Sequence, residues 1–218
     1  MIPQGSDIAI LGAGGLGREI FLLLSVINSH KKSILIRGFY DDGISISANK
    51  LPAPLLGNIN SIPQHKITTL IPAFGLPKTK INVLNSLNLD LYNFPTIIHP
   101  TLELSSEYQN VIIGKGSIIT QGNMLTCDIT IGDFVLINQG CSIGHDVKIG
   151  NYTSIMPGCM ISGNVTIGKN VFLGTGAAII NGVNIADNAT IGAGAVVNKD
   201  VEEGDTVMGI PAKIRNIL

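Results

Sequence analysis

Residues 131–173 read IGDFVLINQGCSIGHDVKIGNYTSIMPGCMISGNVTIGKNVFL. Every sixth residue of the stretch is a branched aliphatic. The pattern extends in both directions without an insertion: Ile113, Ile119, Leu125, Ile131, Ile137, Ile143, Ile149, Ile155, Ile161, Ile167, Leu173, Ile179, Ile185, Ile191 and Val197. An amphipathic helix repeats its apolar residues every three or four positions and a half-buried strand every two. A period of six fits neither. Self-similarity at a short fixed period is the mark of a solenoid, whose coils stack on their neighbours to bury a continuous core.

Each hexad has further structure. Gly follows the aliphatic at Ile113, Ile131, Ile143, Ile149, Ile167, Leu173 and Ile191. Either a side chain there would obstruct the turn, or the backbone needs a positive φ. Four residues after the aliphatic stands a small or β-branched residue, as at Val135, Cys141, Val147, Thr153, Cys159, Val165, Val171, Ala177, Val183, Ala189, Ala195 and Val201. One large and one small side chain per hexad then point inward, while Asn, Asp, Lys, Thr and Gly occupy corners and solvent. A triangular prism with one hexad per side satisfies this pattern. Three hexads make a coil, and residues eighteen apart stack in columns. The absence of Trp and an aromatic content of 5% suit a narrow core lined by Ile and Val. Hexads of this kind resemble the left-handed parallel β-helix family, which is dominated by acyltransferases. The alternative is a structural or ice-binding solenoid.

The chain has 218 residues, enough for two modest domains. Its formal net charge of −1 provides no basic field for nucleic acid. Only 13% of residues are charged and 45% are hydrophobic, so a large face is expected to be buried in an oligomer. Met1 to Asp7 shows neither a charged n-region nor a long apolar segment, no transmembrane span is visible, and the cytoplasm is the default location. Three cysteines do not pair evenly. Cys141 and Cys159 occupy equivalent small positions one coil apart and are expected to stack, reduced, in the core, whereas Cys127 lies outside that column.

Before the repeats the pattern changes. Asp7–Leu11 reads as a strand, Gly12-Ala13-Gly14-Gly15-Leu16-Gly17 as a turn, and Arg18–Ile27 as a helix with Ile20, Leu23, Leu24 and Ile27 on one face. Strand, Gly-rich turn and helix N-terminus place backbone N–H groups where a phosphate can sit. Ile34–Tyr40 reads as a second strand ending in Asp41-Asp42, acids suited to a ribose or base, or simply to a solvated turn. Leu70–Phe74 is a further strand stopped by Gly75, Lys78–Leu87 a helix, and Leu91–Phe94 a last strand. The turn alone fits NAD, FAD or a nucleotide sugar, or a tight turn that binds nothing. A short open sheet followed directly by a solenoid leaves no ordinary dehydrogenase catalytic domain, so a nucleotide sugar fits best.

Taken together, Gly12–Glu19 (GAGGLGRE), Asp41-Asp42 after a strand, Gly144-His145-Asp146 within the hexads and the tail Gly209-Ile210-Pro211-Ala212-Lys213 resemble the nucleotide-aminosugar N-acetyltransferases and sialic-acid O-acetyltransferases. The resemblance implies an N-terminal Rossmann-like nucleotide-sugar-binding domain over residues 1–95. It implies a left-handed β-helix acyltransferase domain with a C-terminal tail over 96–218, and assembly as a homotrimer. The activity it points to is acetyl-CoA-dependent N-acetylation of the 4-amino group of a UDP-, dTDP- or GDP-linked amino-deoxysugar. Sialic-acid O-acetylation is the rival within the fold, and a non-catalytic nucleotide-binding or scaffold solenoid the rival outside it.

An amine attacking a thioester must lose a proton, and a histidine is suited to take it. The resemblance gives that role to His145 and a supporting role to Asp146; without it, His145 reads first as a surface histidine at a solenoid corner. It further implies substrate contacts at Gly14, Gly15, Leu16, Asp41, Asp42, Gly75 and Asn138, the last alternatively a corner Asn in a left-handed turn. For acetyl-CoA it implies Ser154, Gly163, Gly174, Thr175, Gly194 and Lys213, among stretches that also include Gly176, Gly192 and Pro211-Ala212. No metal is expected. His145 is the only histidine of the repeats, so a three-histidine zinc site has no ligands there. His30 ends the first helix, His65 lies in a loop, and His99 is either a residue near the substrate region or a packing residue. Two departures stand out: Ser154 replaces a second histidine that some relatives carry nine residues after the base, and Leu16 replaces a histidine common in the Gly-rich turn. The Phe74-Gly75-Leu76-Pro77-Lys78 stretch also lacks the usual polar pair.

Overall fold

Inward side chains at every sixth residue close the C-terminal half of the chain into a three-sided prism. In the computed structural model, residues 6–31, 34–43, 51–63, 69–102, 104 and 109–215 are described, and the chain divides into two units, Met1–His99 and Pro100–Leu218. The second unit is a left-handed parallel β-solenoid. Each hexad contributes a strand of two or three residues, and each strand pairs in parallel with the one eighteen residues away, as Ile137 does with Ile119 and Ile155, or Ile143 with Leu125 and Ile161. The three walls are then continuous sheets. One contains Met124–Leu125, Ser142–Ile143, Met160–Ile161, Ala178–Ile179 and Val196–Val197. After Val197 the spacing shortens to sixteen, with Val201 bridging Ile185 and Thr206 pairing with Thr190, and an antiparallel strand at Lys213–Ile214 ends the stack.

The large aliphatics and their small partners form one buried core from Ile119 to Val207. Fully burying each Ile stabilises the fold by roughly 2 kcal/mol. Where the small inward position is polar, its bonds are made internally: Thr153 donates to Gly168 O and accepts from Val171 N, and Ser117 does the same with Gly132 O and Val135 N. Cys141 and Cys159 are buried free thiols. Hydrogen bonding with Cys159 and burial hold the Cys141 thiol well above the ordinary thiol range.

The two explanations for glycine after the aliphatic separate cleanly. A Cβ at Gly150 would lie 2.5 Å from the Gly168 carbonyl carbon and one at Gly174 2.5 Å from Ala193 N, so crowding by the next coil excludes side chains there. Positive φ belongs instead three residues after the aliphatic, at every hexad from Gly116 to Gly194. One corner is glycine throughout: Gly122, Gly140, Gly158, Gly176 and Gly194. Another carries Phe134 and Tyr152 in the left-handed region, their rings stacked at a centroid distance of 5.5 Å. Aromatic residues are uncommon in that conformation, and composition gave no hint of them at a corner.

The first unit is an open sheet of four parallel strands in the order β3-β2-β1-β4, where β1 is Ser6–Leu11, β2 Ile34–Tyr40, β3 Leu55–Gly57 and β4 Thr69–Pro72. Helix α1, Gly15–Lys31, connects β1 to β2, and α2, Pro77–Asn85, follows β4. β3 has no counterpart among the strands expected from sequence. The last strand expected at Leu91–Phe94 is corrected: Leu89–Leu91 is a 3-10 turn, opened by Asn88 accepting from Asp90 N, and only Asn93 bridges to Thr69.

Candidate active site

At the corner after Ser142–Ile143 the chain must turn beneath the next coil. Gly144 has no room for a side chain, since its Cβ would lie 2.7 Å from Gly163 N. His145 follows, projecting outward, and Asp146 takes the left-handed conformation with φ 59°. Its N–H donates to Cys127 O one coil below, while His145 O accepts from Asn164 N one coil above. That backbone geometry turns the Asp146 carboxylate back along the chain, so that Oδ2 lies 2.8 Å from Nδ1 of His145. A carboxylate in its ionised form only accepts, so beside it a neutral imidazole would carry its proton on Nδ1 and present the Nε2 lone pair. Both side chains are 54% exposed. The imidazole lies over Gly163, where a Cβ would come within 2.5 Å of Nε2. A proton acceptor at Nε2, held by a carboxylate at Nδ1, is an arrangement suited to deprotonating an incoming nucleophile.

The other residues of interest on the solenoid fall into two groups. Thr175 and Gly194 are exposed at or beside the glycine corner, and Gly194 N donates to Thr175 O. Gly174, next to them, is buried, and its carbonyl accepts from the Cys159 thiol. A Cβ at Gly140, Gly158, Gly176 or Gly194 would meet open space, so this corner presents bare backbone. Ser154 is fully buried and Lys213 is exposed in the final strand. Asn138 is corrected in one respect. It is not in a left-handed turn, because that conformation falls to Gly140. It is 7% exposed, its Oδ1 accepting from Gln139 N at 2.9 Å. The glycine corner and the His145 corner are the two edges of the wall built on Ser142–Ile143. That wall carries exposed Met124 and Met160 on either side of Ser142, with Ile180 nearby.

In the first unit the Gly-rich turn divides its glycines between two tasks. Gly12 has φ 97°, and a Cβ at Gly17 would lie 2.0 Å from Gly12 O, so both are dictated by the turn itself. Gly14 and Gly15 are exposed with nothing near a prospective Cβ; Gly75 before α2 has the same open space but is half-buried, as is Leu16 in the first turn of α1. Asp41 and Asp42 are not merely solvated. Asp41 accepts from Ala13 N at 2.7 Å and Gly43 N at 2.8 Å, and Asp42 accepts from Ile59 N at 2.7 Å. Asp41 fixes the mouth of the turn and Asp42 ties the end of β2 to the segment after β3, roles that the acid pair alone did not reveal. His65 lies outside the described residues, and His30 falls within α1. Among the described residues no group of three or more His, Cys, Asp or Glu is placed to hold a metal ion. None of the described helices is long and apolar enough to cross a membrane.

Comparison with known proteins adds independent findings. Residues 128–163 and 164–199 match the family model of the bacterial transferase hexapeptide (six repeats). Comparison with curated proteins gives no match. Among solved structures, the chain is similar to the acetyltransferase domain of PglB from Neisseria gonorrhoeae FA1090 in complex with acetyl coenzyme A. The two are 28% identical with a TM-score of 0.82, covering 97% of this chain and 100% of that one. PerB from Caulobacter crescentus, in complex with CoA and GDP-perosamine, is 25% identical with a TM-score of 0.83, over 97% of this chain and 98% of that one. WeeI from Acinetobacter baumannii AYE is 28% identical with a TM-score of 0.81, over 96% and 100% respectively.

Proposed function

We propose that this chain, an acetyltransferase carrying hexapeptide transferase repeats, moves the acetyl group of acetyl-CoA onto the 4-amino group of a nucleotide-linked amino-deoxysugar. The observation that carries the reading is the His145–Asp146 pair, Nδ1 to Oδ2 at 2.8 Å, on a fold shared with proteins solved with acetyl-CoA and with CoA and GDP-perosamine. His145 Nε2 takes a proton from the sugar amine as nitrogen attacks the thioester carbonyl. The C–N bond forms, giving a tetrahedral intermediate whose oxyanion needs a donor, a task suited to a backbone N–H of the glycine-bearing coils. The C–S bond then breaks, and the proton held at Nε2 passes to the departing CoA sulfur. Asp146 keeps Nδ1–H in place and stabilises the imidazolium.

The first unit, read as a Rossmann-like domain, holds the nucleotide. Gly14 and Gly15 are free of internal constraint at the N-terminus of α1, where backbone N–H groups favour a diphosphate. Leu16 and Gly75 line the same mouth of the sheet, and Asp41 and Asp42 hold its shape while retaining lone pairs for a ribose or base. Acetyl-CoA lies along the glycine corner, with exposed Thr175, Gly194 and Lys213 as its expected surroundings; of the other residues expected there, Gly163 stands at the opposite edge beneath His145, and Ser154 and Gly174 are buried within the chain. Because that corner and His145 occupy opposite edges of one wall, a site that uses both is most simply built between two copies. The exposed Met124 (59%) and Met160 (64%) support burial of that wall in a homotrimer. Both substrates are cytoplasmic metabolites, which is where the reading places the protein.

The test is acceptor-dependent release of CoA thiol from acetyl-CoA, with GDP-, UDP- and dTDP-linked 4-amino sugars supplied in turn. Turnover with one of these, and stabilisation of the protein by the matching nucleoside diphosphate, is the expected result. Turnover with a sialic acid alone would replace the reading by O-acetylation, and response to neither acetyl-CoA nor nucleotide would leave a scaffold.

A further inference from the structure

From Lys115 to Ala193, the second residue after each repeated aliphatic carries a side chain in every hexad but one. The exception is Gly163. Its φ is not in the left-handed region, so backbone conformation does not require glycine. It does not belong to the glycines that follow the aliphatic, whose space is taken by backbone and corner side-chain atoms of the next coil. A Cβ at Gly163 would meet Nε2, Cε1 and Cδ2 of His145, at 2.5, 2.6 and 3.0 Å. The ring of the residue one coil earlier is what occupies the space.

The floor beneath that ring is itself fixed. The 163–164 peptide donates through Asn164 N to His145 O at 2.8 Å. On its other side Gly163 O accepts from Asn181 Nδ2 at 2.7 Å and from Gly182 N at 3.1 Å. Three stacked coils thus converge on one imidazole: Asp146 holds Nδ1, Gly163 supports the Nε2 edge, and Asn181 anchors Gly163.

We infer that Gly163 is a positioning residue for His145, kept without a side chain so that the imidazole can lie flat on the next coil with Nδ1 still on Asp146. The inference rests on His145 being the base. It differs from a role for Gly163 as wall of the acetyl-CoA groove, because the groups that its Cβ would strike belong to His145. A methyl at 163 displaces the ring outward and parts Nδ1 from the carboxylate. Displacement of a catalytic group by about 1 Å can cost on the order of a hundredfold in rate.

The experiment is Gly163→Ala, studied by 15N NMR of the histidine side chains and by steady-state kinetics. The His145 signals are assigned by their loss in His145→Ala. The wild-type protein should show one tautomer, protonated at Nδ1, and Gly163→Ala a mixture. In Gly163→Ala kcat should fall by about ten- to a hundredfold, with the KM for acetyl-CoA within about twofold, the pattern of a group acting in the transition state. An unchanged tautomer spectrum would overturn the inference, as would an unchanged kcat with a raised KM for acetyl-CoA, which would make Gly163 a groove residue. A shifted tautomer with both kinetic constants unchanged would support the seat and remove His145 as base.

Discussion

The Oδ2 of Asp146 lies 2.8 Å from Nδ1 of His145 because residue 146 occupies a left-handed corner. Adjacent side chains in extended backbone point apart, and here the turn folds the carboxylate back onto the imidazole. The same register position carries Asn at residues 110, 164, 170 and 188.

That distribution makes Asp146→Asn an informative change. Asn tolerates the left-handed conformation, so the corner should survive and the melting temperature should move by no more than about 2 °C. An amide presents both a donor and an acceptor to Nδ1 and no longer enforces its protonation. We expect kcat to fall by about a hundredfold, within the range attributed to positioned acid–base groups. A loss of stability comparable to that of Asp146→Ala would indicate a structural role instead.

Cys127 occupies the corner position one coil before His145 and is half-buried, whereas Cys141 and Cys159 are sealed in the core. Alkylation of the native protein with iodoacetamide should therefore give a single adduct by mass spectrometry, at Cys127. The adduct stands next to His145 in its column and should suppress turnover, and Cys127→Ser should be active and resistant. Fast modification of all three thiols would contradict the closed core.

Lys80 on α2 is 2% exposed, and burial lowers its pKa to about 7. The unfolded chain binds a proton at this lysine below the ordinary lysine value of 10.5, but the folded chain binds it only below about 7. Between these values the unfolded state holds more protons, so the contribution of Lys80 to stability declines as pH falls and levels off below about 7. Lys80→Met removes the titration. The melting temperature of the variant minus that of the wild type should be larger at pH 7 than at pH 10; an equal difference at both would show that Lys80 ionises normally.

Much of the solenoid was legible because its core is read by one residue type at one period: Ile143 and its fourteen equivalents each face inward, and nothing else in the chain competes with that pattern. The corners were less legible. Left-handed backbone is shared by Gly140, Phe134, Asp146, Tyr152 and Asn164, residues with no common side-chain property, so their equivalence appears only through register. In the first unit, β1, α1 and β2 follow from periodicity and the Gly-rich turn. β3 does not, since Leu55–Gly57 has three residues and stands among prolines. Leu91–Phe94 misled because a short apolar run serves a 3-10 turn as well as a strand. His145 and Asp146 were singled out by resemblance, but their contact depends on the left-handed corner at 146, and the place of Gly163 under the ring on stacking across eighteen residues, neither of which a local motif displays.

The most direct measurement is the turnover of His145→Ala with acetyl-CoA and the nucleotide-linked amino sugar that the wild-type protein accepts, alongside its affinity for acetyl-CoA. We predict a fall in kcat of about a hundred- to ten-thousandfold, with acetyl-CoA bound as tightly as before. A variant that turns over at the wild-type rate would contradict the assignment of His145 as the base.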